Sequence, residues 1–131
     1  MAVFSPFLRR VLNLDALASG ATGLLLAAGS GPLQDLLGLS PSLTRPAGLF
    51  LIGYAAALAW LASRPAFPAA LIWTVIAGNA VWALESLMLL ALGWAHPTTL
   101  GYIFVVGQAA VVALFAELQF LGLRKAARVR A

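Results

Sequence analysis

Long apolar segments, separated by short clusters of proline, glycine and charged residues, make up nearly the whole chain. The four longest are residues 11–29, 46–63, 67–93 and 98–123, approximately. Each meets or approaches the ~20 residues that a helix needs to cross ~30 Å of hydrocarbon. None alternates with a period of two, and backbone in lipid must satisfy its own hydrogen bonds. The pattern therefore predicts an all-α fold, a single integral membrane four-helix bundle over residues 1–131.

Proline and glycine positions agree with these boundaries. Prolines near the predicted helix starts are Pro46, Pro68 and Pro97. Glycines near the predicted ends are Gly29, Gly93 and Gly122. A proline in the first helical turn loses no hydrogen bond, and glycine is common just beyond a helix end.

The first connection differs from the others, because it is long for a turn in a bundle. Its segment 32–40 contains PLQDLLGL, in which leucines surround Gln34 and Asp35. This arrangement predicts a short amphipathic helix lying on the outer interface of the membrane. A lid over an outward-facing cavity is the alternative.

Composition supports a membrane location and excludes several kinds of chemistry. Of the 131 residues, 63% are hydrophobic and 9% are charged, which is far more apolar than a soluble domain. The chain has no cysteine and one histidine, so neither a thiolate metal site nor another metal constellation is predicted. We find no paired nucleophile and base and no phosphate-binding loop, so no cofactor is predicted and an enzyme is disfavoured. Asn13 and Asp15 interrupt the first apolar run, and we expect no cleaved signal peptide there.

Basic residues predict the orientation. Seven of the eight fall on one side of a four-span topology: Arg9, Arg10, Arg64, Arg124, Lys125, Arg128 and Arg130. Arg45 alone falls on the other side. By the positive-inside rule both termini are cytoplasmic, and the basic tail 124–131 is expected to contact anionic lipid rather than nucleic acid.

Two pairs of segments are similar in sequence. GYAAALAWLAS from Gly53 aligns with GQAAVVALFAE from Gly107. DALASGATGLLLAAG from Asp15 aligns with NAVWALESLMLLALG from Asn79. These alignments predict two duplicated hairpins, related as a parallel repeat by an axis along the membrane normal. Chance similarity between helices rich in alanine and leucine is the alternative.

Polar and small residues share one face of the first span. Asp15, Ser19 and Thr22 recur at i, i+4 and i+7, and Gly20 and Gly23 lie beside them. The two glycines should let a neighbouring helix approach closely.

Two carboxylates lie near predicted cytoplasmic ends. Asp15 lies only ~6 Å inside its predicted span, and Glu117 is similarly near the end of the last span. We therefore expect structural ion pairs or snorkelling contacts, with Arg10 or Arg9 for Asp15 and with Arg124 for Glu117.

The third span contains GNAVWALES, which places an amide and a carboxylate deep in an apolar run. Asn79 and Ser86 share one face with Trp82 at its edge, whereas Glu85 is rotated by about a third of a turn. Asn79 is expected to hydrogen-bond across helices. Glu85 should be protonated, solvated in a cavity, or paired with Arg45.

These residues define a candidate ligand site, formed by Tyr54, Asn79, Trp82, Glu85 and Gln108. Gln108 and Gln119 are nearly aligned on the last span, and Glu117 points away from Gln108. Isolated polar groups at depth usually mark ligand contacts or pathways, so we predict binding or transport of a small ligand. The alternative is an accessory subunit whose polar and small residues only pack helices. A homo-oligomer or a larger membrane complex is compatible with either function.

Three stretches carry a resemblance to a group of known proteins. They are LRRVLNLDALASGATGLLLAAG, RPAGLFLIGYAAALAWLASRP and FAELQFLGLR. The chain resembles small four-span proteins of the bacterial inner membrane whose activity is uncharacterised. The resemblance implies that location and four spans, and it implies no activity.

Overall fold

The computed structural model describes residues 2–3 and 5–126. Its helices are α1 (Pro6–Ala28), α2 (Ser30–Leu37), α3 (Pro41–Ala62), α4 (Ala69–Ala91) and α5 (Thr99–Ala126). Two short strands, β1 (Ala2–Val3) and β2 (Phe67–Pro68), complete the described elements. Helices α1, α3, α4 and α5 are long and apolar enough to cross a membrane. The predicted all-α four-helix bundle is confirmed.

Two helices begin about five residues earlier than the apolar pattern predicts, because both starts are capped by a Ser-Pro pair. The Ser5 hydroxyl accepts a hydrogen bond from the Leu8 N–H at 3.1 Å, and Pro6 takes the first position of α1. Ser40 and Pro41 repeat this arrangement at the start of α3. Serine is a strong N-cap, and proline fits the first turn. Pro46, predicted near a helix start, instead lies inside α3.

The last helix runs past Gly122, which was predicted near its end. Gly122 is buried, and a Cβ there would lie 3.2 Å from side-chain atoms of both Leu8 and Phe7. This glycine therefore allows α5 to pack closely on α1. The predicted basic tail lies outside the described residues from position 127 onward.

The bundle consists of two helical pairs. α1 packs extensively on α3, α4 packs on α5, and α1 also contacts α5, whereas α3 and α4 make few backbone contacts. Gly23 and Gly48 allow the closest approach within the first pair, since a Cβ on Gly48 would lie 2.6 Å from the Gly23 carbonyl oxygen. The duplication of the two hairpins stays a prediction.

The two ends of the bundle are closed differently. At one end β1 pairs antiparallel with β2, and Val3 and Phe67 are fully buried. The Arg9 guanidinium lies over the Phe67 ring and donates to the carbonyl oxygens of Ala62 and Arg64. A cation there satisfies carbonyls left free at the C-terminus of α3.

At the opposite end α2 covers the bundle. Its Leu33 and Leu37 are buried, and Gly38 ends it in the left-handed conformation at φ 71°. Thr98 joins α2 to the start of α5, because its backbone N–H donates to the Leu37 carbonyl oxygen and its hydroxyl accepts from the Gly101 N–H. The predicted amphipathic helix thus begins two residues before the predicted segment 32–40 and ends three residues before the end of that segment. Its buried leucines pack against the bundle.

Large apolar side chains cover the outside of the bundle. Leu17 is 70% exposed and Leu24 is 61% exposed on α1, and similar residues line the outer faces of the other long helices. A water-soluble protein rarely leaves so much contiguous apolar surface uncovered. The arrangement is that of a small multi-pass membrane protein.

Candidate functional site

A buried polar cluster joins all four long helices near the middle of the bundle. One carboxylate oxygen of Asp15, Oδ2, accepts hydrogen bonds from Asn79 Nδ2 at 2.9 Å and from Gln119 Nε2 at 2.7 Å. The other oxygen, Oδ1, accepts from the Ser19 hydroxyl at 3.0 Å. The Tyr54 hydroxyl donates to Asn79 Oδ1 at 3.0 Å. We call these five residues the Asp15 cluster.

Asp15 makes none of the ion pairs expected for it. Its three hydrogen-bond donors are neutral, Arg10 is exposed, and Arg9 is directed to the end of α3. The physical reason is the early start of α1, which places Asp15 about 14 Å from Pro6 along the helix. At that depth Asp15 is 1% exposed and contacts the interior of the bundle.

Gln119 is the cluster member for which the sequence predicted no contact. Its side chain is fully buried, and its Oε1 accepts a second hydrogen bond from Asn79 Nδ2 at 2.9 Å. The near-alignment of Gln119 with Gln108 was the available signal, since residues eleven positions apart return to about the same face of a helix. That spacing indicates a shared face, but it does not reveal which helix the face meets.

A second polar cluster lies nearer α2 and consists of Trp82, Ser86 and Gln108. The Trp82 indole N–H donates to Gln108 Oε1, and Gln108 Nε2 donates to the Ser86 hydroxyl, both at 2.9 Å. Phe50 stacks on the Trp82 ring, with 5.8 Å between ring centroids, and also on Tyr54. These contacts hold the indole at the cleft between α3 and α4.

An outer cavity of about 290 Å³ adjoins this second cluster. Its polar lining residues include Thr22, Thr44, Glu85, Ser86 and Gln108. Its aromatic lining residues are Trp82, Trp94 and Phe104, and most of the remaining wall is leucine. All four long helices contribute to the lining, so the cavity lies within the bundle at the end covered by α2.

A smaller inner cavity of about 160 Å³ adjoins the Asp15 cluster. It is lined by Asp15 and Ser19, but not by Asn79, Gln119 or Tyr54. The two cavities share three lining residues, Thr22, Trp82 and Gln108. The hydrogen-bonded pair of Trp82 and Gln108 therefore forms a partition between them.

Glu85 lines the outer cavity. It is exposed in the isolated chain and lies about 9 Å from the end of α4. Arg45, the partner proposed from sequence, directs its guanidinium to the Ser30 hydroxyl at 2.9 Å instead.

The remaining predicted polar contacts lie on the outside. Glu117 is exposed on α5, and the Arg124 guanidinium lies over the Phe120 ring. Gly23 packs against α3 of the same chain, and Gly20 lies near Ala55. Both glycines therefore face α3 of the same chain.

The structure divides the five predicted ligand-site residues between two places. Glu85, Trp82 and Gln108 line the outer cavity. Asn79 and Tyr54 belong to the Asp15 cluster. Within the described residues, no group of three histidine, cysteine or acidic side chains lies close enough to hold a metal ion. No family model, characterised protein or solved structure matches the chain in comparisons with known proteins.

Proposed function

We propose that the protein binds a small organic cation with apolar substituents in the outer cavity. The observation that carries this proposal is the position of Glu85, a carboxylate lining a cavity whose walls are otherwise mainly apolar and aromatic. A carboxylate compensates a positive charge, and tryptophan and phenylalanine rings attract cations through their faces. The ligand class follows from this combination of charge and apolar wall.

The size of the cavity limits the ligand. About 290 Å³ lies at the lower end of the ~300–1,000 Å³ typical of small-molecule sites. The side-chain amide of Gln108 already accepts a hydrogen bond from Trp82 and donates hydrogen bonds to Ser86 and to the Val105 carbonyl oxygen. Recognition therefore depends on charge and shape more than on a set of directed hydrogen bonds.

Replacing Glu85 by glutamine should weaken binding of benzyltrimethylammonium at least tenfold, because the substitution removes the compensating charge and preserves the shape. Isothermal titration calorimetry on purified protein in lipid nanodiscs measures the affinity. Glu117→Gln is the matched control, since it removes a second carboxylate that lies on the outside of α5. The control should bind as tightly as the unsubstituted protein.

Neopentylbenzene, the uncharged carbon analogue of the probe, separates charge recognition from simple filling of an apolar cavity. We expect it to bind much more weakly than the cation to the unsubstituted protein. Equal affinity of Glu85→Gln and the unsubstituted protein, or no saturable cation binding, would reject the site. The second result would favour an accessory subunit, in which both polar clusters only hold helices together.

We further propose that the bundle lies in a bacterial inner membrane with both termini on the cytoplasmic side. Support comes from the end closed by the two strands, where Arg9, Arg64, Arg124 and Lys125 lie over aromatic rings. A basic end of this kind is retained in the cytoplasm.

Single cysteines test this orientation directly, because the chain has no cysteine of its own. Gln34→Cys should react with a membrane-impermeant maleimide on intact cells, since Gln34 is exposed on α2. Ser63→Cys, exposed at the basic end, should react only after the membrane is permeabilised. The opposite labelling pattern would show an inverted topology.

A further inference from the structure

The hydrogen bonds of the Asp15 cluster do not compensate the negative charge of an ionised Asp15. Asp15 is 1% exposed, about 14 Å from the start of a helix long enough to span a membrane. Its three donors are two amides and a hydroxyl, and none of them carries a positive charge. An isolated carboxylate at such a depth is unfavourable unless it is paired, hydrated or protonated.

The two oxygens of Asp15 have different partners. Oδ2 accepts hydrogen bonds from the side-chain amides of Asn79 and Gln119, and these two amides are also hydrogen-bonded to each other. A protonated Oδ2 would lose this arrangement, because an amide nitrogen only donates. Oδ1 contacts the Ser19 hydroxyl alone, and a hydroxyl can donate or accept.

From this asymmetry we infer that Asp15 Oδ1 is a reversible proton-binding site served by the inner cavity through Ser19. In the ionised form Ser19 donates to Oδ1. In the protonated form the new O–H donates to the Ser19 oxygen, and the hydroxyl hydrogen of Ser19 turns away. The heavy atoms keep their positions in both forms, while the amides hold Oδ2.

The inner cavity supplies the route for the proton. Asp15 and Ser19 line it, whereas the amide partners of Oδ2 do not. It is separated from the outer cavity by the Trp82 and Gln108 pair, so movement of one indole would connect Asp15 with the cavity of Glu85.

Within residues 2–3 and 5–126, the other charged and titratable groups on the helices around Asp15 are directed away from it. From α3 only Tyr54 approaches, and its hydroxyl donates to Asn79. On α4 Glu85 lines the outer cavity, and on α5 Glu117 is exposed. On α1 itself Arg9 contacts the end of α3, and Arg10 is exposed. Among the residues that the structure describes, none supplies a positive charge to Asp15, which leaves a proton to compensate it.

Infrared spectroscopy of a single labelled carboxyl tests the site in the absence of any organic ligand. The chain has two aspartates, Asp15 and Asp35. Protein carrying Asp35→Asn, labelled with carbon-13 at the aspartate side-chain carboxyl, reports on Asp15 alone. We expect a protonated-carboxyl band at low pH that is replaced reversibly by carboxylate bands as the pH rises. The band should also shift in heavy water, because the proton exchanges through the cavity.

Two further variants assign the proton to the oxygen facing Ser19. Ser19→Ala should move the protonated-carboxyl band to higher frequency, since the O–H loses its acceptor. Tyr54→Phe removes a hydroxyl that is hydrogen-bonded to Asn79 and not to Asp15, and it should leave the band in place. A carboxyl that stays ionised, stays protonated, or fails to exchange at every pH would overturn the inference. So would a band unaffected by Ser19→Ala. None of these outcomes depends on whether the outer cavity binds a cation.

Discussion

Gly48→Ala should destabilise the protein by about 3 kcal/mol, because overpacking a close helix contact costs that much when backbone must move. A Cβ at Gly48 would lie 2.5 Å from the Ala27 nitrogen and 2.6 Å from the Gly23 carbonyl oxygen. Both are backbone atoms of α1, so no side-chain rotation relieves the overlap. Equilibrium unfolding in mixed micelles measures the change in the free energy of unfolding.

The matched control is Gly53→Ala on the same helix. No atom lies within 4 Å of a Cβ built on Gly53, and alanine favours a helix by up to ~1 kcal/mol over glycine. This variant should be as stable as the unsubstituted protein or slightly more stable. If the two substitutions had equal effects, the close contact between α1 and α3 could not be the cause.

Asn79→Leu should also cost about 3 kcal/mol, through loss of hydrogen bonds rather than overpacking. Asn79 donates to Asp15 and to Gln119, and accepts from Tyr54. Leucine has as many side-chain heavy atoms as asparagine, but it leaves Gln119 Oε1 and the Tyr54 hydroxyl without a partner, each costing roughly 1–3 kcal/mol, and removes one of the two donors to Asp15 Oδ2. The same unfolding assay measures the loss.

Tyr54→Phe removes one hydroxyl from this cluster and should lower the free energy of unfolding by about 1 kcal/mol, the usual net value of one hydrogen bond.

A double-mutant cycle between Asn79→Leu and Gln119→Leu should show a coupling of at least ~0.5 kcal/mol, because the two side chains are hydrogen-bonded to each other. Simple additivity of the two substitutions would mean that the cluster does not act as one unit.

The depth of a residue and the face of its own helix on which it lies can be predicted from the sequence. Trp82 and Gln108 were grouped from their depth and polarity, and they form a direct hydrogen bond. Helical spacing also rotates Glu85 away from Asn79, although the predicted ligand site contains both residues. Asn79 lies in the Asp15 cluster and Glu85 at the outer cavity.

Hydropathy alone misplaces the start of α1. It predicts a start at residue 11 and therefore an Asp15 close to interfacial arginines. The Ser5 cap and Pro6 set the start earlier, and the resulting depth brings Asp15 to Asn79 and Gln119. One missed N-cap thus changed the expected chemistry of a carboxylate.

The sequence by itself determined the class of the fold and the number of helices. Four apolar runs of sufficient length leave the backbone no other way to satisfy its hydrogen bonds in lipid. The positions of the polar residues along each helix follow from the same periodicity.

Only the tertiary structure decided which polar residues meet. The Asp15 cluster draws on α1, α3, α4 and α5, and its contacts depend on how each helix is rotated about its axis. A helical period gives angles within one helix, but the rotation between helices is set by close packing such as that of Gly23 on Gly48. For that reason the two cavities and the partition between them emerged only when the helices were packed together.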